Sequence, residues 1–93
     1  MEPEFDLDRR WGVTASVSIR PEPFGALVYD FSTRKLSFLK TPKLVALVES
    51  LAEHSTARAA CAAVGVGAAE MPDYQRALAT LAASGVISER PDA

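Results

Sequence analysis

The chain has 93 residues, a length that suits one compact domain rather than two. A composition of 48% hydrophobic and 24% charged residues is typical of a globular chain and excludes an intrinsically disordered one. The 10 basic and 12 acidic residues give a formal net charge of -2, so no general electrostatic field attracts nucleic acid or anionic lipid. We therefore expect neither a nucleic-acid partner nor a membrane partner.

One cysteine, Cys61, and one histidine, His54, restrict the possible chemistry. A lone cysteine forms no internal disulfide, and neither a secretory signal nor a membrane-spanning run is recognisable, so we expect a cytoplasmic protein. His54 has no ligand partners nearby in the sequence, and Cys61 falls on a predicted apolar stripe. The sequence thus predicts a binding protein that is not an enzyme, has no metal site and needs no cofactor.

The chain is expected to contain one domain between two short tails. Residues 1–12 are acidic and predict a flexible N-terminal tail, although its apolar residues could dock one end of it. The domain is predicted at residues 13–89, and residues 90–93 form a C-terminal tail.

Three short strands are predicted at the start of the domain. Residues 13–20 alternate apolar and polar side chains, which is the period of a strand with one buried face. Residues 26–31 and 36–39 are rich in β-forming residues, and turns at 21–25 and 32–34 separate the three runs. The pattern predicts an antiparallel meander. Apolar residues fall on both faces of the last two strands. We therefore expect part of the face that points away from the core to be buried by another element or by a partner.

Three helices are predicted after the strands. Thr41 and Pro42 form a strong start signal for the first helix. The second is predicted at residues 56–64 with Ser55 as its cap, and the third at residues 72–84. The few residues that follow either return along the sheet or cap the core. We therefore predict an α+β domain of winged-helix-like character, a three-stranded meander followed by a three-helix cluster.

The free edge of the third predicted strand is the candidate recognition site. An edge strand exposes unpaired backbone N–H and C=O groups, and in this element order the last helix lies across the sheet beside it. An extended peptide could therefore enter the groove between them as a fourth strand. The predicted peptide-binding residues are Lys35, Leu36, Ser37, Phe38, Leu39 and Lys40 on the strand and Asp73, Arg76, Ala77, Thr80 and Ser84 on the helix.

The same residue types allow a simpler interpretation. Lys35 and Lys40 also resemble the lysines that protect edge strands from aggregation. Arg34 and Lys35 at the second turn, with Arg20 near the start of the first, could face acidic residues of a partner or could form a solvated rim. Phe24 could anchor a partner, or its proline-rich turn could simply set the register of the hairpin.

Two stretches of the sequence resemble a known family. Residues 20–31, RPEPFGALVYDF, and residues 33–40, TRKLSFLK, are similar to the mycofactocin-system peptide chaperones, which are PqqD-like precursor-peptide recognition elements. The resemblance extends from about residue 8 to residue 89. It is specific in the central stretch and unspecific in the alanine-rich helices.

This resemblance implies a PqqD-like fold and a protein without chemistry of its own. It implies that the chain binds the ribosomally made mycofactocin precursor peptide and presents the peptide's C-terminal Val-Tyr to a radical S-adenosylmethionine maturase, which carries the iron–sulfur clusters. It also implies that the peptide adds beside residues 35–40 and against residues 73–84, where the free edge is predicted.

Two other classes of function share parts of this pattern. A winged helix-turn-helix DNA-binding regulator also combines three helices with short strands, but its recognition helix presents Arg, Lys, Asn or Gln to base edges. Here the third helix offers Gln75 and Arg76 and then mainly alanines. A plain dimerisation module could pair the free edge with a second copy, so a homodimer remains an alternative.

Overall fold

The computed structural model describes residues 5–90, and the outermost parts of both predicted tails, residues 1–4 and 91–93, lie outside the described residues. The strands are β1 (Trp11–Val13), β2 (Val17–Glu22), β3 (Gly25–Asp30), β4 (Lys35–Leu39) and β5 (Ile87–Glu89). The helices are α1 (Pro42–Ser50), α2 (Ala57–Ala63) and α3 (Met71–Ala83), with a short 3₁₀ helix at Leu51–Glu53.

Strands β2, β3 and β4 form an antiparallel meander in that spatial order. Glu22 pairs with Gly25, which leaves Pro23 and Phe24 as a two-residue hairpin turn. A side chain at Gly25 would collide with the carbonyl oxygen of Leu39, so glycine permits the close approach of β4 at this point. The predicted α+β class, with its meander and three helices, is confirmed.

The predicted strand at residues 13–20 is wrong as a single element. β1 ends at Val13 and β2 begins at Val17, because the backbone turns between them and the Val17 N–H donates to the Thr14 carbonyl at 2.9 Å. β1 pairs with β5 in a separate two-stranded sheet, in which Val13 lies opposite Ile87. The residues after α3 therefore return to the beginning of the domain rather than to the meander.

The segment before β1 packs against the helices. Phe5 and Leu7 are buried, and the Phe5 ring stacks on Trp11 with 4.4 Å between ring centroids. The Arg58 N–H on α2 donates to the Leu7 carbonyl at 2.9 Å. Ordered structure thus begins before Val13, and the apolar residues of this segment dock on the domain.

The core lies between one face of the meander and the helices. Its largest fully buried side chains are Val28, Leu39, Leu47, Val48, Leu51, Cys61, Leu78 and Ile87. Burying a leucine such as Leu78 stabilises the fold by about 2 to 3 kcal/mol.

Side-chain caps begin the first two helices. The Thr41 hydroxyl accepts the Leu44 N–H at 3.1 Å, as the start signal predicts. α2 is capped by Thr56, whose hydroxyl accepts the Ala59 N–H at 3.0 Å, and not by Ser55. Within residues 5–90, none of the helices combines the length and apolar character required to traverse a bilayer.

Candidate functional site

β4 is the last strand of the meander, so one of its edges has no partner strand among residues 5–90. Its other edge pairs with β3, from Ala26 opposite Leu39 to Asp30 opposite Lys35. Successive N–H groups of a strand point to opposite edges, so part of the β4 backbone is directed away from β3. The geometry offers a strand position beside β4.

The side chains of β4 alternate between the two faces of the sheet. Leu39 is fully buried and lies opposite Ala26 on the core face. Leu36 and Phe38 point to the other face and are exposed. The side chains of a strand added at this edge would alternate in the same way, one set toward the core side and one toward Leu36 and Phe38.

One flank of helix α3 contacts the segment of the chain that precedes β1. The Gln75 side-chain amide donates to the Phe5 carbonyl at 2.9 Å. An open cavity of about 240 Å³ lies between the segment and the helix and is lined by Phe5, Pro72, Gln75, Arg76 and Ala79. Arg76, a predicted peptide-binding residue, therefore lines the cavity. Its guanidinium lies 3.6 Å from the carboxylate of Asp73, another predicted residue, which precedes it by three positions on the helix.

The other flank of α3 carries the remaining predicted residues of the helix. At about 100° per residue, Ala77 falls on the opposite side of the helix from Ala79. Ala77 is half-buried, whereas Thr80 and Ser84 are exposed. The Thr80 hydroxyl donates to the Arg76 carbonyl at 3.1 Å and the Ser84 hydroxyl to the Leu81 carbonyl at 3.0 Å. This flank is lined by small side chains whose hydroxyls bond within the helix.

Lys43 joins the beginning of α1 to the beginning of α3. Its ammonium nitrogen lies 3.0 Å from the Glu70 carboxylate and 5.7 Å from the centre of the Tyr74 ring. The Lys43 hydrogen bond, with a further bond from the Gly67 N–H, lowers the pKa of Glu70. Because β4 ends at Leu39, shortly before Lys43, the C-terminal end of β4 and the N-terminal end of α3 lie at the same end of the molecule.

The turn between β3 and β4 is held by Asp30. One carboxylate oxygen accepts hydrogen bonds from the Ser32 hydroxyl at 2.7 Å, the Ser32 N–H at 2.9 Å and the Ser16 hydroxyl at 2.9 Å. The Ser32 and Ser16 hydroxyls lower the pKa of Asp30 to about 2. Arg34 closes the turn in the left-handed region, with a φ of 62°. These contacts fix the register in which β4 is presented.

Sequence analysis missed the role of Asp30. An aspartate immediately before a polar turn is a recognised signal, because its carboxylate can bond to the backbone two residues further along. Ser16 had no such signal, since its approach to Asp30 depends on the pairing of β2 with β3.

His54 follows the short 3₁₀ helix, and Cys61 lies on α2. Cys61 is fully buried, and burial raises the pKa of its thiol. Among the described residues, no three His, Cys, Asp or Glu side chains are arranged so that they could hold a metal ion.

Comparison with known proteins identifies similar sequences. The model of the peptide chaperone MftB family matches residues 10–88. The peptide chaperone MftB of Mycobacterium ulcerans (strain Agy99) is 53% identical over 83 residues, which are 89% of this chain and 76% of that protein. The peptide chaperone MftB of Mycobacterium tuberculosis (strain ATCC 25618 / H37Rv) is 47% identical over 87 residues, 94% of this chain and 80% of that protein. No solved structure matches the chain significantly.

Proposed function

We propose a function from one premise: the chain belongs to the peptide chaperone MftB family. It is accordingly a peptide chaperone of mycofactocin biosynthesis. We propose further that it binds the ribosomally made mycofactocin precursor peptide by β-strand addition, and that it presents the peptide to a radical S-adenosylmethionine maturase. The observation that supports strand addition is the edge of β4, which has no partner strand in the described structure.

In this proposal the β4 backbone supplies affinity. The outward N–H and C=O groups of residues 35–40 bond to the peptide main chain, and its alternate side chains provide specificity. The flank of α3 with Ala77, Thr80 and Ser84 forms the opposite wall, where small side chains leave room for a guest.

The contribution of the chaperone is positioning. In this proposal the protein contributes no reactive group of its own, and the iron–sulfur chemistry is assigned to the maturase. Holding the peptide beside the enzyme raises the effective concentration of the peptide and restricts its orientation. The chaperone therefore acts as a non-catalytic subunit of the modification reaction.

An NMR titration with the synthetic precursor peptide tests the site. We expect amide shifts that cluster at residues 35–40 and along the flank of α3 that contains Ala77. Shifts centred on the Pro23 and Phe24 turn, or on the cavity beside Phe5, would place the peptide elsewhere and contradict strand addition. Absence of binding at millimolar peptide would contradict the proposed function itself.

A further inference from the structure

The face of the meander that points away from the core carries a continuous apolar surface. Large hydrophobic side chains that are exposed in the described residues all occur here: Phe24 (52%), Phe31 (67%), Leu36 (59%) and Phe38 (56%). Together with the half-buried Leu27 and Tyr29, which pair with Phe38 and Leu36, these residues define the outer apolar face. A patch of this kind on a small domain is typical of an interaction surface.

Aromatic rings cluster at both ends of the outer apolar face. Phe24 lies 6.3 Å from Phe38 between ring centroids, at the β2–β3 turn. Phe31 packs edge-on against Tyr29 at 4.8 Å, at the β3–β4 turn. Aromatic residues are enriched at the centres of protein interfaces, because they bury a large area at a low cost in conformational entropy.

Among residues 5–90, three basic side chains at the ends of β4 have no ion-pair partner. Seven of the ten basic residues make an ion pair or donate to a backbone carbonyl within residues 5–90. The side chains of the other three, Arg34, Lys35 and Lys40, make neither contact in this part of the chain, and these residues lie at the two ends of β4. Glu22, on the outer side of β2, is already paired with Arg20 at 3.4 Å. Lys35 alternates with Leu36 and so points to the same side of the sheet as Leu39, whereas Arg34 and Lys40 lie just outside the two ends of the strand. Among residues 5–90, the charge without a side-chain partner at the ends of the outer apolar face is therefore positive, from Arg34 and Lys40.

This distribution of charge indicates that the outer apolar face binds a different protein rather than a second copy of this chain. A two-fold dimer through the outer apolar face would juxtapose identical surfaces, and Arg34 and Lys40 of each copy would repel those of the other. A surface that combines apolar side chains with Asp and Glu has the complementary chemistry.

We infer that the outer apolar face docks the enzyme partner, through an acidic surface of that enzyme which carries apolar side chains. This inference rests on the proposed function, because the enzyme is the maturase named there. A peptide strand beside β4 would extend the same sheet, and its outward side chains would lie next to Leu36 and Phe38. An enzyme docked on this face would touch chaperone and peptide together.

Substitution of the two aromatic residues outside β4 tests the inference. In the Phe24→Ser/Phe31→Ser variant, the β4 edge and the flank of α3 are unchanged. We expect affinity for the purified, cluster-loaded maturase to fall by about tenfold or more, because truncation of interface aromatics has effects of this size. Affinity for the labelled precursor peptide, measured by fluorescence polarisation, stays within about twofold of the parent value.

A second variant tests the charge. Arg34→Gly removes one cation, and glycine adopts the φ of 62° at this position without strain, so the variant is expected to fold. Maturase affinity should fall by about threefold or more, in line with the weak to moderate effect of a rim charge. The matched control is Arg58→Gln on α2, whose guanidinium is already paired with Asp8 at 2.9 Å, and it should bind the maturase like the parent.

The outcomes separate this inference from the proposed function. If the parent binds both peptide and maturase, and the aromatic variant binds the maturase equally well, the docking face is wrong and the proposed function stands. If the parent does not bind the maturase at all, the proposed function fails at that step and the inference fails with it. If sedimentation shows a parent dimer that dissociates in the aromatic variant while maturase affinity is unchanged, the occupant is a second copy and the inference is overturned.

Discussion

At the scale of single residues, Asp30 links the ionisation of a side chain to the stability of the fold. Its pKa of about 2 lies below the value of about 3.9 for an unfolded aspartate, because Ser32 and Ser16 donate to the carboxylate. The ionised form therefore stabilises the folded state at neutral pH, and this contribution is lost as the pH falls from about 4 to about 2.

Replacement of the carboxylate tests this linkage. We expect Asp30→Asn to have a lower melting temperature than the parent at pH 7. Between pH 5 and pH 2.5, the melting temperature of the variant should fall by less than that of the parent, because the variant has no carboxylate to protonate in this range. Circular-dichroism melts across this range measure the difference. If the melting temperatures of parent and variant fall by the same amount over this pH range, the stabilising role of the ionised Asp30 is contradicted.

Arg34 carries backbone strain that glycine would relieve. A non-glycine residue at a φ of 62° meets a steric penalty between its Cβ and the following carbonyl. We expect Arg34→Gly to raise the free energy of unfolding by about 0.5 to 1 kcal/mol in urea titrations. Arg34→Ala is the matched control, since it removes the same side chain and keeps the Cβ. Equal stabilities for the two variants would show that the left-handed turn is unstrained.

At the scale of elements, β4 is both a member of the meander and the proposed docking strand for the peptide. Successive N–H groups point to opposite edges, so proline at Ser37 and proline at Phe38 should act differently. We expect one variant to be strongly destabilised, because it loses a bond to β3. The other should melt near the parent temperature but bind the precursor peptide about tenfold more weakly or worse. If the stable variant binds like the parent, the peptide does not use the β4 backbone.

The two flanks of α3 provide a matched pair of substitutions. Ala77→Leu adds bulk on the flank proposed to face the peptide, and we expect peptide affinity to fall by about tenfold or more. Ala79→Leu adds the same bulk on the opposite flank, where it extends into the open cavity beside Phe5. This control should fold and bind peptide like the parent. Equal peptide affinities for both variants would exclude the Ala77 flank from the binding site.

Local patterns were sufficient to predict most of the elements. The runs of β-forming residues indicated β3 and β4, and Thr41 with Pro42 indicated the start of α1, because both signals depend on neighbouring residues alone. The pairing of β1 with β5 was not predictable in this way, since its partners are separated by most of the chain.

The position of β4 at the edge of the meander was predictable to a similar extent, whereas the peptide-binding role of its residues stays a prediction. The free edge of β4 followed from the order of the elements, and the apolar residues on both faces indicated a second surface in need of cover. The division of α3 into two flanks was not visible from its sequence, because it depends on where the segment with Phe5 packs. The absence of partners for Arg34, Lys35 and Lys40 in the described structure likewise depends on long-range placement.

At the scale of the whole molecule, the proposed contacts occupy separate surfaces. The N-terminal segment covers the flank of α3 that contains Gln75, the peptide is proposed for the β4 edge, and the enzyme for the outer apolar face. Peptide and enzyme can therefore bind at the same time. We expect the maturase to bind the peptide-loaded chaperone more tightly than the empty one, by a factor that biolayer interferometry with and without saturating peptide would measure. Weaker binding of the maturase to the peptide-loaded chaperone would show that peptide and maturase compete.

The pairing of β1 with β5 has a practical consequence for protein engineering. The Arg90 N–H donates to the Arg10 carbonyl at 2.7 Å, so residues near the two ends of the described chain are neighbours in space. A linker long enough to retain the buried Phe5 and Leu7 could connect these two regions, and new termini could open between the exposed Ala68 and Ala69. Such a circular permutant would carry a fluorophore or surface tether on the loop before α3. The permutant and the parent, each tethered through a terminus, would be immobilised in different orientations.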